Sequence, residues 1–214
     1  MATSTTDPKF FSKVVPNASR VTIQDVFDRN QYNLRDAAKQ STKWLNQQAK
    51  ELGAQGYTGR RLLNGIHGNY SEYPEVGKMY MFIYDAKHKE TLPYWDKYPL
   101  IFPFRNLDDG FMGINLHYLP YQFRIMMLDK LVGIKLRSTS RHHKIQLSWD
   151  LINSISAYKP LVGCVHRYLF THLRTGLRSI DSGDWATAAL LPMHQFVGAT
   201  MGHVHKQGRK AGGY

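Results

Sequence analysis

A chain of 214 residues with 43% hydrophobic and 13% aromatic content has apolar material for one good core and is not a disordered protein. Its 28 Lys and Arg against 16 Asp and Glu leave a formal charge of +12, which attracts polyanions, nucleic acid first, or an acidic protein surface. The single cysteine, Cys164, excludes an intramolecular disulfide and a complete cysteine-based zinc site, and no apolar run nears the ~20 residues that cross a bilayer.

Residues 1–20 are Ser/Thr-rich, then basic, and Pro8 and Pro16 interrupt them; an extended arm is expected. Met1 to Pro8 lacks the layout of a signal peptide, so the expectation is a soluble chain, intracellular or part of a particle. A short helix is expected over Val21–Asn30, capped by Thr22, and a longer one over Leu34–Leu52, closed by Gly53. The glycine-rich stretch from Gly53 to Gly77 reads as a loop-rich connection holding one helical turn around Arg60, Arg61, Leu62 and Leu63.

Three apolar-aromatic runs follow, Met79–Tyr84, Leu100–Phe104 and Phe111–Leu119, each bounded by turn formers; they read as strands. Asp108-Asp109-Gly110 predicts a tight hairpin through the positive φ that Gly supplies. The charged Lys87–Lys97 link reads as an exposed loop. Three strands with one long loop and one tight turn suggest a small, strongly bent antiparallel sheet, an SH3-like half-barrel. Pro120 then opens a helix to about Leu131, with Phe123, Met126, Met127 and Leu131 on its buried face.

Lys130 to Lys144 reads as a mobile basic loop. Helices are expected over Ser148–Tyr158 and Leu161–Leu173, the second on the spacing of Val162, Val165, Leu169 and Leu173. Asp181 to Asp184 starts a compact segment, Trp185–Phe196, and the Gly-rich basic tail from Gly198 to Tyr214 is expected to be extended. The chain thus reads as α+β: an arm (1–20), one domain (21–197) centred on the 76–131 sheet unit, and a flexible tail (198–214).

Chemistry-bearing motifs are sparse. Cys164, His166 and His172 on one expected helix are spaced two and six apart and share no face, so no metal site is expected. No G-x-S-x-G or phosphate-loop pattern occurs. Asp85, Glu90, Asp96 and Lys97 are the nearest approach to a magnesium nuclease site, and they read instead as solvated turn residues. No cofactor and no catalytic residue is expected.

Tyr80, Phe82, Tyr84, Tyr94, Trp95, Tyr98, Phe102 and Tyr118 could stack bases, but alternate residues of a curved sheet forming a core is the simpler reading. Asn115, His117 and Tyr118, followed by Pro120 and Arg124, suit a polar network locking the sheet to its next helix. The basic stretches carry the functional expectation, because distributed cations suit phosphate contact without sequence reading. Arg60, Arg61, Lys135, Arg137, Arg141 and Lys144 are the candidate phosphate ligands, in acid-free surroundings.

The stretch G-K-M-Y-M-F-x-Y-D-x-K-x-K-x-x-L-P-Y-x-D-x-x-P-L-I-F-P (77–103), then G-F-x-G-x-N-L-H-Y-L-P (110–120) with Arg124 beyond it, resembles a family of T-even-type contractile-tailed bacteriophages, the DNA end-protector proteins. K-P-L-V-G-C-V-H-R-Y-L (159–169) and D-W-A-T-A-A-L-L-P-M-H-Q-F (184–196) are similar to its second half, so the resemblance spans about 55–197. It implies a virion protein that rides with the end of the packaged genome and shields it from exonuclease. The partners implied are double-stranded DNA and other virion proteins of head, neck or tail, with no membrane. The expected location is the virion, and the host cytoplasm during assembly. The function expected is therefore non-enzymatic binding of the genome's double-stranded end. The alternative is a structural subunit of tail, baseplate or neck that contacts proteins and not DNA; a nuclease comes third.

Overall fold

The computed structural model describes residues 42–65, 70–135 and 159–212. It is an α+β chain in which helices surround an antiparallel sheet. The elements in order are α1 (Thr42–Ala54), α2 (Gly59–Gly65), β1 (Tyr70–Ser71), β2 (Met79–Met81), β3 (Trp95–Asp96), β4 (Leu100–Leu107) and β5 (Gly110–Asn115). After them come α3 (Tyr121–Lys135), β6 (Val165–Leu169), β7 (Leu177–Ile180), α4 (Trp185–Leu190), β8 (Phe196–Val197) and α5 (Met201–Gly212). Six strands form one sheet in the order β1-β7-β2-β4-β5-β6, and β3 pairs with β8 apart from it. Among the described residues no helix is long and apolar enough to cross a membrane.

Strand β2 shows why the sheet lies at the centre. Its residues alternate faces, and both faces are buried. Met79 and Met81 enter the core built with the helices, beside Leu45, Leu52, Ile125 and Trp185. Tyr80, with Phe82 just beyond the strand, enters a second, aromatic core with Phe111 and Tyr168. Phe82 meets Phe111 and Tyr168 edge-on at 6.0 and 5.3 Å. Most of the aromatics that could have stacked bases are therefore core: Tyr80, Phe82, Tyr84, Tyr98, Phe102 and Tyr118 are buried.

The β4–β5 hairpin falls where the Asp108-Asp109-Gly110 signal places it, with Leu107 opposite Gly110. Its reason is different. Among the described residues the positive-φ positions are Gly56, Gly77 and Gly198, so Gly110 does not serve the turn by its φ. A Cβ on Gly110 would stand 2.0 Å from the Tyr168 carbonyl oxygen. Glycine is needed there because the β6 backbone crosses almost in contact.

That crossing overturns the expected helix over Leu161–Leu173. A 3-10 segment over Lys159–Cys164 leads into β6, which pairs with β5 from Gly110↔Leu169 to Ile114↔Val165. Val162, Val165, Leu169 and Leu173 do show helical spacing. The unpaired edge of β5 and the place for Tyr168 in the aromatic core outweigh that local preference.

Helix α3 begins at Tyr121, directly after Pro120, and runs through Lys135, so the first part of the expected basic loop is helical. Its buried stripe is Tyr121, Arg124, Ile125 and Leu128, at i, i+3, i+4 and i+7; Phe123 and Met126, expected inside, are only half-buried. The carboxy-terminal stretch is likewise not extended, because α5 occupies Met201–Gly212. Thr200 Oγ1 accepts from the His203 amide at 3.3 Å and caps it. Val204 is buried, and Gly208 lies against Gly163 and the Tyr118 carbonyl. A Cβ at Gly208 would meet the Tyr118 carbonyl oxygen at 3.8 Å, an ordinary contact, so this glycine weakens the helix without being required by the packing. The expected arm at 1–20 and the helices over 21–30 and 148–158 lie outside the described residues, as does the part of the 34–52 helix before Thr42.

Candidate nucleic-acid interface

Of the six cations expected to contact phosphate, Arg60 is exposed near the start of α2. Arg61 follows it in α2, and Lys135 is the last residue of α3. Arg137, Arg141 and Lys144 lie outside the described residues. The run from Lys159 to Arg178 is less available than its charge suggests. Arg167 Nη2 reaches both oxygens of Asp109 at 2.6 and 2.7 Å. Arg174 reaches Asp85 at 2.6 Å, where Lys89 also binds. Hydrogen bonds from these cations hold both carboxyls below the usual carboxylate range. The Arg178 guanidinium lies 4.4 Å from the Tyr70 ring centre.

Helix α5 presents the clearest open cationic face. His203, Lys206, Arg209 and Lys210 are exposed or half-exposed and spaced three or four apart, with Val204 and His205 buried on the other side. Arg209 and Lys210 also stand in the last turn, where cations complement the helix dipole.

Beneath this helix lies a buried polar hub. Asp96, expected to be a solvated turn residue, is only 3% exposed. Its Oδ1 accepts from the backbone amides of Tyr98 and Gln195 at 3.1 and 3.2 Å. Its Oδ2 accepts from Asn115 Nδ2 at 3.2 Å and meets His117 Nδ1 at 2.6 Å. Burial alone would raise the Asp96 pKa, but His117 and the donated hydrogen bonds hold it down to about 2. Burial lowers the His117 pKa against the pull of Asp96, so a neutral ring donates Nδ1–H to an ionised carboxylate. Trp95 before Asp96 and Tyr98 two residues after it were the available signal in the sequence.

Arg124 completes the hub as the expected lock between sheet and helix. Its guanidinium donates to the carbonyls of Leu119 (2.7 Å), Ala189 (3.1 Å) and His117 (3.2 Å). His205 Nε2 of α5 donates to the same His117 carbonyl at 3.1 Å. Burial pushes the pKa of His166 and His205 down to about 4 and of His194 to about 3, so all three are neutral at pH 7. The Asp96–His117 pair has the chemistry of a general base, but neither side chain reaches solvent. Among the described residues no group of three His, Cys, Asp or Glu could hold a metal ion.

The hub anchors one end of the Lys87–Asp96 segment, whose remainder arches outward; Lys87 to Pro93 are exposed. Between this arch and β6 opens a cleft of about 590 Å³. Tyr94, Trp95, Tyr118 and Tyr168 line it, with Lys87 and Arg167 among its further lining residues. The α5 face adjoins it: the rings of His203 and Tyr94 meet edge-on at 6.1 Å. Sequence reasoning missed both α5 and the cleft. The Thr200 cap and the Met201, Val204, His205, Gly208 spacing were the available signal for α5.

No curated protein and no solved structure matches the chain. Residues 17–207 match the family described as the Phage T4 terminal DNA protecting protein. This is the resemblance that the 77–103 and 110–120 motifs carry, extended over nearly the whole chain. The protein belongs to the phage T4 terminal DNA protecting protein family.

Proposed function

We propose that this protein is a non-enzymatic virion component that binds the end of the packaged double-stranded genome and shields it from exonucleases. Membership in the terminal DNA protecting family over residues 17–207 is the observation that carries the reading. The +12 charge and the exposed cations of α5 support it physically, since they suit phosphate contacts without base readout. The Asp96 and His117 side chains are 1% and 0% exposed, and this burial supports binding rather than hydrolysis even though Asp96 is among the residues that line the cleft. We place the protein in the virion, assembled there in the host cytoplasm beside head, neck or tail proteins. The order β7-β2-β4-β5-β6, with a 3-10 turn over Phe170–His172 between β6 and β7, supports reading the bent sheet as SH3-like.

The test is direct. Full-length protein mixed with linear duplex DNA should slow digestion by a processive exonuclease, and its affinity should fall steeply with salt. Tight incorporation into tails without any affinity for DNA would favour the tail or baseplate reading instead. Magnesium-dependent loss of DNA integrity would favour a nuclease.

A further inference from the structure

We propose that the cleft between the Lys87–Trp95 segment and β6 takes an unpaired terminal nucleotide of the DNA. The inference rests on the reading of this protein as an end binder and supplies a means by which an end is told from the duplex interior. Contacts to phosphodiesters cannot do so, because the duplex interior presents the same phosphodiesters as the strands leading to the terminus. A base is different. Extracting it from the interior costs stacking and pairing energy, and least where it is already frayed or single-stranded.

The cleft has the properties such a nucleotide needs. Its volume of about 590 Å³ falls in the range of small-ligand sites, roughly 300–1,000 Å³. Tyr94 and Trp95 are half-buried at its wall, and Tyr118 and Tyr168 lie deeper. Aromatic faces of this kind stack any base without reading sequence. Trp95 Nε1 and His166 Nε2, on residues lining the cleft, have no hydrogen-bond partner among the described residues. Each is a polar atom that a base edge could satisfy after a small movement. Lys87 is exposed on the arch beside the site, whereas Arg167 on β6 is already held by Asp109, which also lines the cleft. The α5 face continues outward from Tyr94 through His203 to Lys206, Arg209 and Lys210. A strand whose last base sits in the cleft would meet these cations with its phosphates.

The experiment compares a duplex closed by hairpins at both ends with the same duplex opened, carrying an unpaired nucleotide at either the 5′ or the 3′ end. Binding of full-length protein is read by fluorescence anisotropy. The open duplex should bind at least about 10-fold more tightly, within what one base–aromatic stack supplies. The two overhangs report which strand enters. Tyr94→Leu, which keeps bulk but removes the stacking face, should reduce that preference toward unity while affinity for the closed duplex stays unchanged. Lys87→Gln with His88→Gln, two exposed arch residues that line the cleft, should also lower the end preference without touching the core. Full end preference in both variants overturns the inference and leaves end protection standing. Equal wild-type affinity for closed and open duplexes overturns it as well. Absence of any wild-type DNA binding overturns the underlying reading. Variants that keep end preference but no longer enter particles assign the cleft to a protein partner and overturn the inference.

Discussion

Asp96 and His117, 21 residues apart in the chain, meet at 2.6 Å with both side chains almost wholly enclosed. Two backbone amides and Asn115 also donate to Asp96, so a single carboxylate joins β3, the end of β5 and the segment before β8. Replacing it with Asn turns an acceptor of four donors into a group with an N–H of its own. Asp96→Asn should cost about 3–5 kcal/mol, the usual penalty for breaking a buried charged pair. Urea denaturation measures this, and a loss under about 1 kcal/mol would remove the hub from any central role.

Arg124 is the opposite partner in the same hub. It donates to three carbonyls and lies 4.3 Å from the Tyr121 ring centre. Arg124→Met keeps much of the volume but takes the Arg124 donors from the Leu119 and Ala189 carbonyls, while the His117 carbonyl keeps His205; the cost is about 1–3 kcal/mol for each carbonyl left unpaired that water cannot reach. The variant should melt well below wild type in calorimetry, and Arg124→Lys should recover only part of the loss because it lacks the planar fork.

Acid should destabilise the fold in two stages. Unfolded histidines titrate near pH 6.5, whereas burial delays His166 and His205 to about 4 and His194 to about 3. Between these values the unfolded chain binds protons that the folded chain refuses, so stability falls as pH drops from about 6.5 to 4. Asp96 adds a second stage. Its folded pKa of about 2 lies below the unfolded value, so its contribution is lost as pH falls from about 4 toward 2. Thermal melts at constant ionic strength should show a level Tm above about pH 7 and a decline below it. A level Tm down to about pH 4.5 would contradict the burial of these rings.

Two glycines should answer substitution with opposite signs. Gly110→Ala places a Cβ 2.0 Å from the Tyr168 carbonyl oxygen, so strands β5 and β6 must part. The loss should reach at least the roughly 1–3 kcal/mol of an overpacked core. Gly202→Ala, in the first turn of α5, meets nothing within 4 Å and should gain up to about 1 kcal/mol from helix propensity. Chemical denaturation of the pair measures both.

The α5 face should carry part of the DNA affinity. Lys206→Gln, Arg209→Gln and Lys210→Gln together remove exposed cations without disturbing Val204 or His205. The triple variant should fold normally and bind linear duplex more weakly. Its slope of log K against log salt should become shallower by about 0.9 for each phosphate that is no longer neutralised. An unchanged slope would move the interface elsewhere, with Arg60 the next candidate.

Much of the sheet was legible because its strands are locally marked. Met79–Met81, Leu100–Leu107 and Gly110–Asn115 fall within or around the three apolar-aromatic runs, and Pro120 marks the start of α3. The network from Asn115 to Arg124 was legible for a related reason, since polar groups between apolar runs must find partners inside. Other features were not local. Val165–Leu169 has helical spacing but becomes a strand because β5 presents an edge and Gly110 lets the β6 backbone approach. Asp96 looks solvated beside Lys97 until its four donors arrive from sites up to 99 residues away.

By itself, then, the sequence determined the α+β class, the central hairpin, the polar lock on α3, the cationic character and the family resemblance. Each depends on spacing between neighbours in the chain or on composition. Only the tertiary structure decided that the Gly-rich tail forms a helix, that Asp96 is buried, and that an aromatic cleft stands beside a basic face. Those outcomes depend on which distant surfaces exclude water from one another, and burial energy between distant segments outweighs the propensity of any short one.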